Sequence, residues 1–237
     1  MVPCHNEEGN IPRYAHELLP ALDALGAPYE VLIVDDGSTD GTAAAAKTFA
    51  AARPAAKVLS LAPNQGLGAA LRAGFAAARG EWIATLDADL TFRPAALMDM
   101  LALARAENAD LVAGSPYLRA GDMANVSWLR RLPSLMINAL YRGLFGLRLT
   151  AYTPVFRLYR ATRLRELALT AEGFEINAEI AARGLLENWR VAEVPAALET
   201  RAVGISKLRR WRELSLHLRL IASLLSAPSE SRTKDLL

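Results

Sequence analysis

Short apolar runs, each closed by a polar turn and followed by a helical stretch, constrain this chain more than any other feature. Tyr29–Val34 is rich in β-branched residues and lies between Pro28 and the turn Asp35-Asp36-Gly37, which reads as a buried strand. Lys57–Leu61 and Glu81–Leu86 read likewise, and Asp110–Gly114 carries a weaker version of the same signal. Helical patterns fill residues 11–25, 42–53, 67–79 and 94–107 between them. Strands and helices in this order predict an α/β fold, a mostly parallel sheet flanked by helices. Asn10 is expected to cap the first helix, with Pro12 in its first turn, and Pro20 to kink it.

The remainder of the chain is less regular. Val2-Pro3 runs straight into the polar loop Cys4-His5-Asn6-Glu7-Glu8, so little remains of the strand that should feed it, and the true start is expected upstream of Met1. Residues 115–160 hold scattered prolines and arginines; residues 163–200 give two helical pieces and a strand-like Trp189–Leu198. The polar tail from 226 is expected to be mobile. With 52% apolar residues in 237, the chain can bury a real core. Its 27 basic and 25 acidic residues leave a net charge of +2, which excludes a nucleic-acid binder driven by phosphate neutralisation. One cysteine, Cys4, excludes a disulfide framework or a cysteine-cluster zinc site, and three scattered histidines argue against a histidine metal site. There is neither an uncharged apolar stretch of 18 residues nor a signal peptide, so a cytoplasmic location is expected.

Three motifs could carry chemistry. Asp87-Ala88-Asp89 follows a strand at its carboxyl end, where open α/β sheets place ligands. In extended geometry two carboxylates at i and i+2 point the same way and can share a hard cation, Mg²⁺ or Mn²⁺; a solvated strand-end turn is the plain alternative. Asp35–Thr42 also follows a strand, and Asp40 or Thr42 can cap the helix behind it. Capping does not explain Asp35 beside Asp36, two acids that repel unless something is bound. Asn64-Gln65-Gly66-Leu67-Gly68 opens a helix, but Leu71 stands where a dinucleotide fingerprint needs glycine, so tight helix–sheet packing is the simpler reading. No phosphate-binding loop of the Walker type is present.

Taken in order, Pro3, Asn6-Glu7, Val34–Thr42, Asn64–Gly68 and Asp87-Ala88-Asp89-Leu90 resemble the family 2 glycosyltransferases of GT-A fold, in the branch of dolichol-phosphate mannosyltransferases. Phe156-Arg157-Leu158-Tyr159 and the closing Arg201, Gly204 and Ser206-Lys207 extend the likeness to about residue 210. The resemblance implies one Rossmann-like GT-A catalytic domain over 1–210, its nucleotide half reaching about 114 and its acceptor half covering 115–210, followed by an amphipathic helix and tail over 211–237. It implies that Pro3, His5, Glu7 and Asp36 hold base and ribose. Asp87, Ala88 and Asp89 would hold the diphosphate, with the metal on Asp87 and Asp89. Arg201 and Lys207 would close over the phosphates. Arg130, Arg131 and Ser134 would grip an acceptor phosphate, with Glu175 and Glu179 on the acceptor-side helix. Asp89, Arg130 and Arg131 are the implied catalytic residues. The chain departs from the pattern at His5 (usually tyrosine), Thr91 (usually glutamine), Pro116 (usually arginine) and Ala151 (usually aspartate).

The implied reaction is inverting, metal-dependent transfer of a hexose from a GDP- or UDP-sugar to a polyprenyl phosphate. A phosphate acceptor is already anionic and needs no strong base, whereas a hydroxyl acceptor usually does. The adjacent Glu-Asp pair of hydroxyl-acceptor relatives is absent around Glu175 and Glu179. A hydroxyl acceptor and a catalytically dead, nucleotide-sugar-binding subunit stay as alternatives. Leu208, Trp211, Leu214, Leu218, Ile221 and Leu225 form a helical stripe among Lys207, Arg209, Arg210, Arg212 and Arg219. It fits either a peripheral helix on the cytoplasmic membrane face or, with Leu216, Leu220 and Leu224, packing on the domain or a partner subunit. Trp128, Leu129, Leu132, Leu135 and Met136 fit a greasy lip for a prenyl chain or, more commonly, a core.

Overall fold

The structure, a computed structural model, describes residues 1–123, 128–146, 148–199 and 210–226, the side chains of 128–130 and 210–212 excepted. Among the described residues there are seven strands: β1 (Val2–Cys4), β2 (Val31–Asp36), β3 (Ala56–Leu61), β4 (Trp82–Thr85), β5 (Leu111–Ser115), β6 (Arg157–Arg160) and β7 (Val191–Pro195). β1 pairs in parallel with β2, and β2 with β3. A second sheet runs β4-β6-β5-β7, with β6 antiparallel to both neighbours and β5 parallel to β7. Met1 bridges the two sheets: its carbonyl accepts from Leu86 N at 3.1 Å, and its amine donates to Ala84 O at 2.7 Å. The combined order is 3-2-1-4-6-5-7, so the ends of β1, β2, β4 and β5 share one edge. Near Met1 a cleft of about 730 Å³ lies between β2 and β4, lined by Val31, Leu32, Trp82 and Ile83 among others.

Helices cover both faces. α1 (Leu18–Asp23), α2 (Thr42–Ala51) and α4 (Leu97–Ala106) lie on one, with a 3-10 turn at Ile11–Ala15, and enclose Tyr14, Leu18, Phe49, Met100 and Leu158. α3 (Leu67–Ala77), α5 (Trp128–Phe145), α6 (Ala161–Glu166), α7 (Ile176–Leu186) and α8 (Arg210–Ser226) lie on the other, around Phe75, Tyr141, Ile180 and Trp189. β6 serves both cores by strand alternation: Tyr159 meets Phe75 edge-on at 5.8 Å, while Leu158 faces the opposite layer.

Several expectations change in detail. The helix expected over 11–25 is two pieces, and Pro20 sits in the first turn of α1, where its missing N–H costs nothing; it starts a helix rather than kinking one. Asn10 makes no capping bond. The sheet gains the antiparallel β6, a strand the periodicity did not mark. Arg157, at its start, is wholly buried, and its guanidinium donates to the carbonyls of Asn177, Ala151 (3.3 Å) and Tyr152 (2.6 Å).

The amphipathic helices also resolve differently. On α8 the buried residues are His217, Leu220, Ile221 and Leu224, while Leu214, Leu218 and Leu225 of the expected stripe are exposed. Packing therefore uses the broadened face, and most of the described stripe remains outside. His217 Nδ1 lies 3.0 Å from the Tyr141 hydroxyl, and burial lowers the His217 pKa to about 4. On α5, Ile137, Asn138 and Tyr141 face inward, whereas Leu132, Leu135 and Met136 are 47%, 45% and 65% exposed, so the core reading fails for these three. Residues 227–237, where a mobile tail was expected, lie outside the described residues.

Candidate active site

The loop after β1 and the turn after β2 are tied to each other. Asn6 N donates to Ser38 Oγ at 2.9 Å, Thr39 N to Asn6 Oδ1 at 2.8 Å, and Glu7 N to Thr42 Oγ1 at 2.7 Å. His5 Nδ1 lies 2.9 Å from Asp36 O and 3.0 Å from Asn64 Nδ2, so the ring is held between the two loops. Glu8 accepts from Gly41 N at 3.0 Å and Asp40 from Thr42 N at 2.9 Å, so both acids serve the start of α2. Burial pushes the Asp40 pKa up, but hydrogen bonds from Thr42 and from the Glu8 N–H outweigh it and hold the group below its usual value. Half-buried Pro3 lies in β1 beside Val34.

Asp36 departs from expectation. Its Oδ1 accepts from Gln65 N at 2.8 Å, and its Oδ2 from Gly66 N at 2.8 Å and Asn64 Nδ2 at 3.0 Å. Three of roughly four acceptor positions are thus used by the chain itself. Asp35 accepts from Ser38 N at 3.2 Å. The two adjacent acids are offset by N–H donors and require no bound group. The glycine-rich opening of α3 is packing, as its spacing suggested: Gly66 has φ +91°, and Gly68 N donates to Glu172 O at 2.7 Å. A Cβ on Gly68 would stand 2.0 Å from the Ala171 carbonyl oxygen.

Asp87-Ala88-Asp89-Leu90 is a turn, with Leu90 N donating to Asp87 O at 3.0 Å and Leu90 at φ +51°. The turn, rather than strand alternation, therefore sets how the two carboxylates sit. Asp89 is buried, and its Oδ1 accepts from Thr91 N (3.1 Å) and Thr91 Oγ1 (2.8 Å); Asp87 is half-buried. Thr91, the departure from the usual glutamine, thus orients the second acid. Ala88 is buried, and its carbonyl accepts from Tyr14 Oη at 2.9 Å, while the Asp89 carbonyl accepts from Arg13 Nη1 at 2.8 Å. Neither Tyr14 nor Arg13 was singled out in the sequence; the Arg13–Glu17 spacing at i,i+4 was the one available cue.

Beyond β5 the edge continues into α5. Ser134 Oγ lies 2.8 Å from Tyr117 Oη, and Asn138 Nδ2 reaches both hydroxyls, at 3.3 and 3.2 Å respectively. Glu193 on β7 pins the neighbouring loop, accepting from Thr150 N and Oγ1 (both 2.8 Å) and Ala151 N (3.0 Å). Arg131 donates to the Met123 carbonyl; the Arg130 side chain, Arg201 and Lys207 lie outside what is described. Glu175 accepts from Glu172 N and Gly173 N at 3.2 and 3.1 Å, and its Oε2 is buried without a hydrogen bond from a described residue. Glu179 is fully buried, and its two oxygens take bonds from Thr170, Ala171 N and Arg183. Its surroundings make it a brace for the 170–171 loop, with no surface left for an acceptor.

Two carboxylates at a strand end suit a hard cation that keeps waters and substrate phosphates as its other ligands. Among the described residues no group of three or more His, Cys, Asp or Glu could hold a metal by itself. Asp87, half-buried, and Asp89, buried, are the two acids on this turn that such a cation would take, with a diphosphate to complete the set.

The fold is of the GT-A type: 95% of the chain aligns with 78% of glucosyl-3-phosphoglycerate synthase from Mycobacterium tuberculosis, with a TM-score of 0.65 and 24% identity. The same enzyme has been solved with Mn²⁺ and UDP-glucose, a structure this chain matches with a TM-score of 0.62, 23% identity and coverage of 95% and 76%. Residues 1–168 match the model for Glycosyl transferase family 2, and the chain belongs to that family. It is 34% identical to undecaprenyl-phosphate mannosyltransferase of Micrococcus luteus (88% of this chain, 86% of that one) and 33% identical to polyprenol monophosphomannose synthase of Mycolicibacterium smegmatis (88% and 79%). It is also 32% identical to undecaprenyl-phosphate 4-deoxy-4-formamido-L-arabinose transferase of Shewanella sediminis, over 96% of this chain and 66% of that relative's length. Among the described residues no helix is long and apolar enough to cross a membrane.

Proposed function

We propose that the chain transfers a hexose, with inversion, from a nucleotide-diphosphate sugar of the GDP-mannose or UDP-glucose type to a polyprenyl phosphate. One observation carries this reading: the acidic turn after β4 shares its sheet edge with α5, a helix that turns apolar side chains outward beside Ser134. A water-soluble nucleotide needs the first, and a lipid-borne acceptor needs the second. The names of the curated relatives support the acceptor class.

In this reading the loops bearing Pro3, His5, Glu7 and Asp36 receive base and ribose, Asp36 acting through the loop it secures. Asp87 and Asp89, with the Ala88 backbone, would hold Mg²⁺ or Mn²⁺ and the donor diphosphate, and a cation bound there would supply positive charge against the leaving nucleotide. Arg201 and Lys207 close over the phosphates. Arg130, Arg131 and Ser134 orient the acceptor phosphate, with Glu175 behind them. That phosphate is anionic near neutral pH and attacks without a general base. Exposed Leu132, Leu135 and Met136 on α5, with Leu214 and Leu218 on α8, would meet the lipid, so the enzyme works as a peripheral protein on the cytoplasmic membrane face.

The test supplies radiolabelled GDP-mannose or UDP-glucose, Mn²⁺ and undecaprenyl phosphate in vesicles. The expected product partitions into butanol, is labile to mild acid and is lost with EDTA. Label transferred only to a hydroxyl acceptor, or to nothing with either donor, would overturn the proposal.

A further inference from the structure

The 3-10 turn between the first loop and α1 joins two parts of the site. Buried Asn10 donates from Nδ2 to Glu7 Oε2 at 2.7 Å, and its Oδ1 accepts from Arg13 Nη1 at 3.3 Å. The same Nη1 donates to the Asp89 carbonyl at 2.8 Å. Glu17 grips the other edge of the guanidinium through Nε and Nη2 at 2.7 and 2.8 Å, which fixes its plane. One residue on, Tyr14 is fully buried edge-on to Phe49 and anchors the Ala88 carbonyl at 2.9 Å. A continuous hydrogen-bonded path therefore runs from the Glu7 carboxylate to the backbone of the acidic turn. That turn contains Leu90 at φ +51°, a conformation that a non-glycine residue holds only when its surroundings enforce it.

We propose that Arg13 is a positioning residue that strengthens the coupling between nucleotide and metal beyond what their shared diphosphate supplies, with Asn10 relaying from Glu7 and Tyr14 holding the turn at Ala88. This rests on the reading of Glu7 as a nucleotide contact and of Asp87 and Asp89 as metal ligands. A ligand that fixes Glu7 fixes Asn10 and, through Arg13, the backbone that carries Asp89. The cation then meets a turn already ordered, and by linkage the cation tightens the nucleotide by the same factor.

The experiment measures UDP and GDP affinity by calorimetry with Mn²⁺ and with EDTA, and Mn²⁺ affinity by electron paramagnetic resonance with and without the nucleotide that binds. The ratio in each pair is the coupling factor, and the two factors should agree. In Arg13→Met the coupling should fall about fivefold or more, while nucleotide affinity in EDTA and the thermal midpoint stay near those of the parent. Arg13→Lys should recover part of it. Tyr14→Phe keeps the ring in the core and should weaken Mn²⁺ binding with little change in EDTA. Coupling within about twofold of the parent in a folded Arg13→Met, with Mn²⁺ affinity unchanged in Tyr14→Phe, would overturn the relay alone. A parent whose nucleotide affinity does not respond to Mn²⁺ would remove the reading of the site and the relay together.

Discussion

The two ends of the shared sheet edge are built by different means. At the proposed nucleotide end, loops after β1, β2, β3 and β4 are short and bond to one another or within themselves: Asn6 to Ser38 and Thr39, Asp36 to Asn64–Gly66, Thr91 to Asp89. At the proposed acceptor end the scaffold is two long helices that bury Ile137, Tyr141, Leu220, Ile221 and Leu224 along with their polar contacts and turn a second set of apolar residues outward. A nucleotide is small, charged and uniform, so a rigid and prearranged site suits it. A prenyl chain offers little for directional bonds to recognise, and an exposed apolar flank beside one polar cluster suffices. Hydrogen bonds thus do the work at one end and surface chemistry at the other.

That contrast can be broken in descending order of effect. Asp89→Asn keeps an acceptor for Thr91 but removes the charge; turnover should fall by about 10³-fold or more, with the thermal midpoint in the absence of nucleotide and metal nearly unmoved. Retained turnover in a radiolabel assay would show that the nucleotide end does not depend on its acids. Gly68→Ala strikes the seam between the ends, where a Cβ meets the Ala171 carbonyl oxygen. Urea denaturation should report a loss of about 2–4 kcal/mol. An unchanged midpoint would mean that α3 and the 171–172 loop do not depend on close approach.

The acceptor end should carry a pH dependence of its own. The His217 pKa is lowered to about 4 when folded, so the unfolded chain binds the extra proton between that value and about 6.5. Stability therefore rises with pH across this window and declines on acidification, by about 2 kcal/mol between pH 7.5 and pH 5. In His217→Phe, which lacks this contribution, the gap in stability between the two pH values should shrink by that amount. The smallest effect is expected on the α5 flank. Replacing Leu132, Leu135 and Met136 by Gln should reduce co-sedimentation with anionic vesicles about threefold to tenfold and leave the thermal midpoint alone. Unaltered vesicle binding would reassign that flank.

The sequence made the fold legible where its signals were local. β2, β3, β4 and β5 announce themselves as apolar runs, and the acids that follow two of them mark the edge that matters. β6 escaped because it is four residues long with arginine at each end, so neither alternation nor an apolar run identifies it. Within the site the acids were visible and the clamp was not. Arg13 and Tyr14 reach carbonyls 76 and 74 positions away, and a backbone oxygen has no identity that a sequence can print. Over 115–160 the sequence showed no regular element, and its apolar residues from Trp128 to Met136 read as a lip or a core; α5 itself, and which of its faces meets the domain, depend on partners that lie distant in the chain. The same limit applies to Asp36, whose three donors come from residues 64–66.

Arg157 has a consequence for how the sheet assembles. β6 joins two strands, and sliding it by two residues along both would keep every side chain on its own face. Tyr159 would replace Arg157, and the apolar pattern would register no error. The guanidinium would register one at once, because a shift of about 7 Å carries it away from the carbonyls of Ala151, Tyr152 and Asn177 and leaves a bare charge in a dry core. Burying that charge adds little to the depth of the native state. It works instead as an index mark, making the nearest wrong alignment of the central antiparallel strand expensive and leaving a single register to the strand that joins β4 to β5.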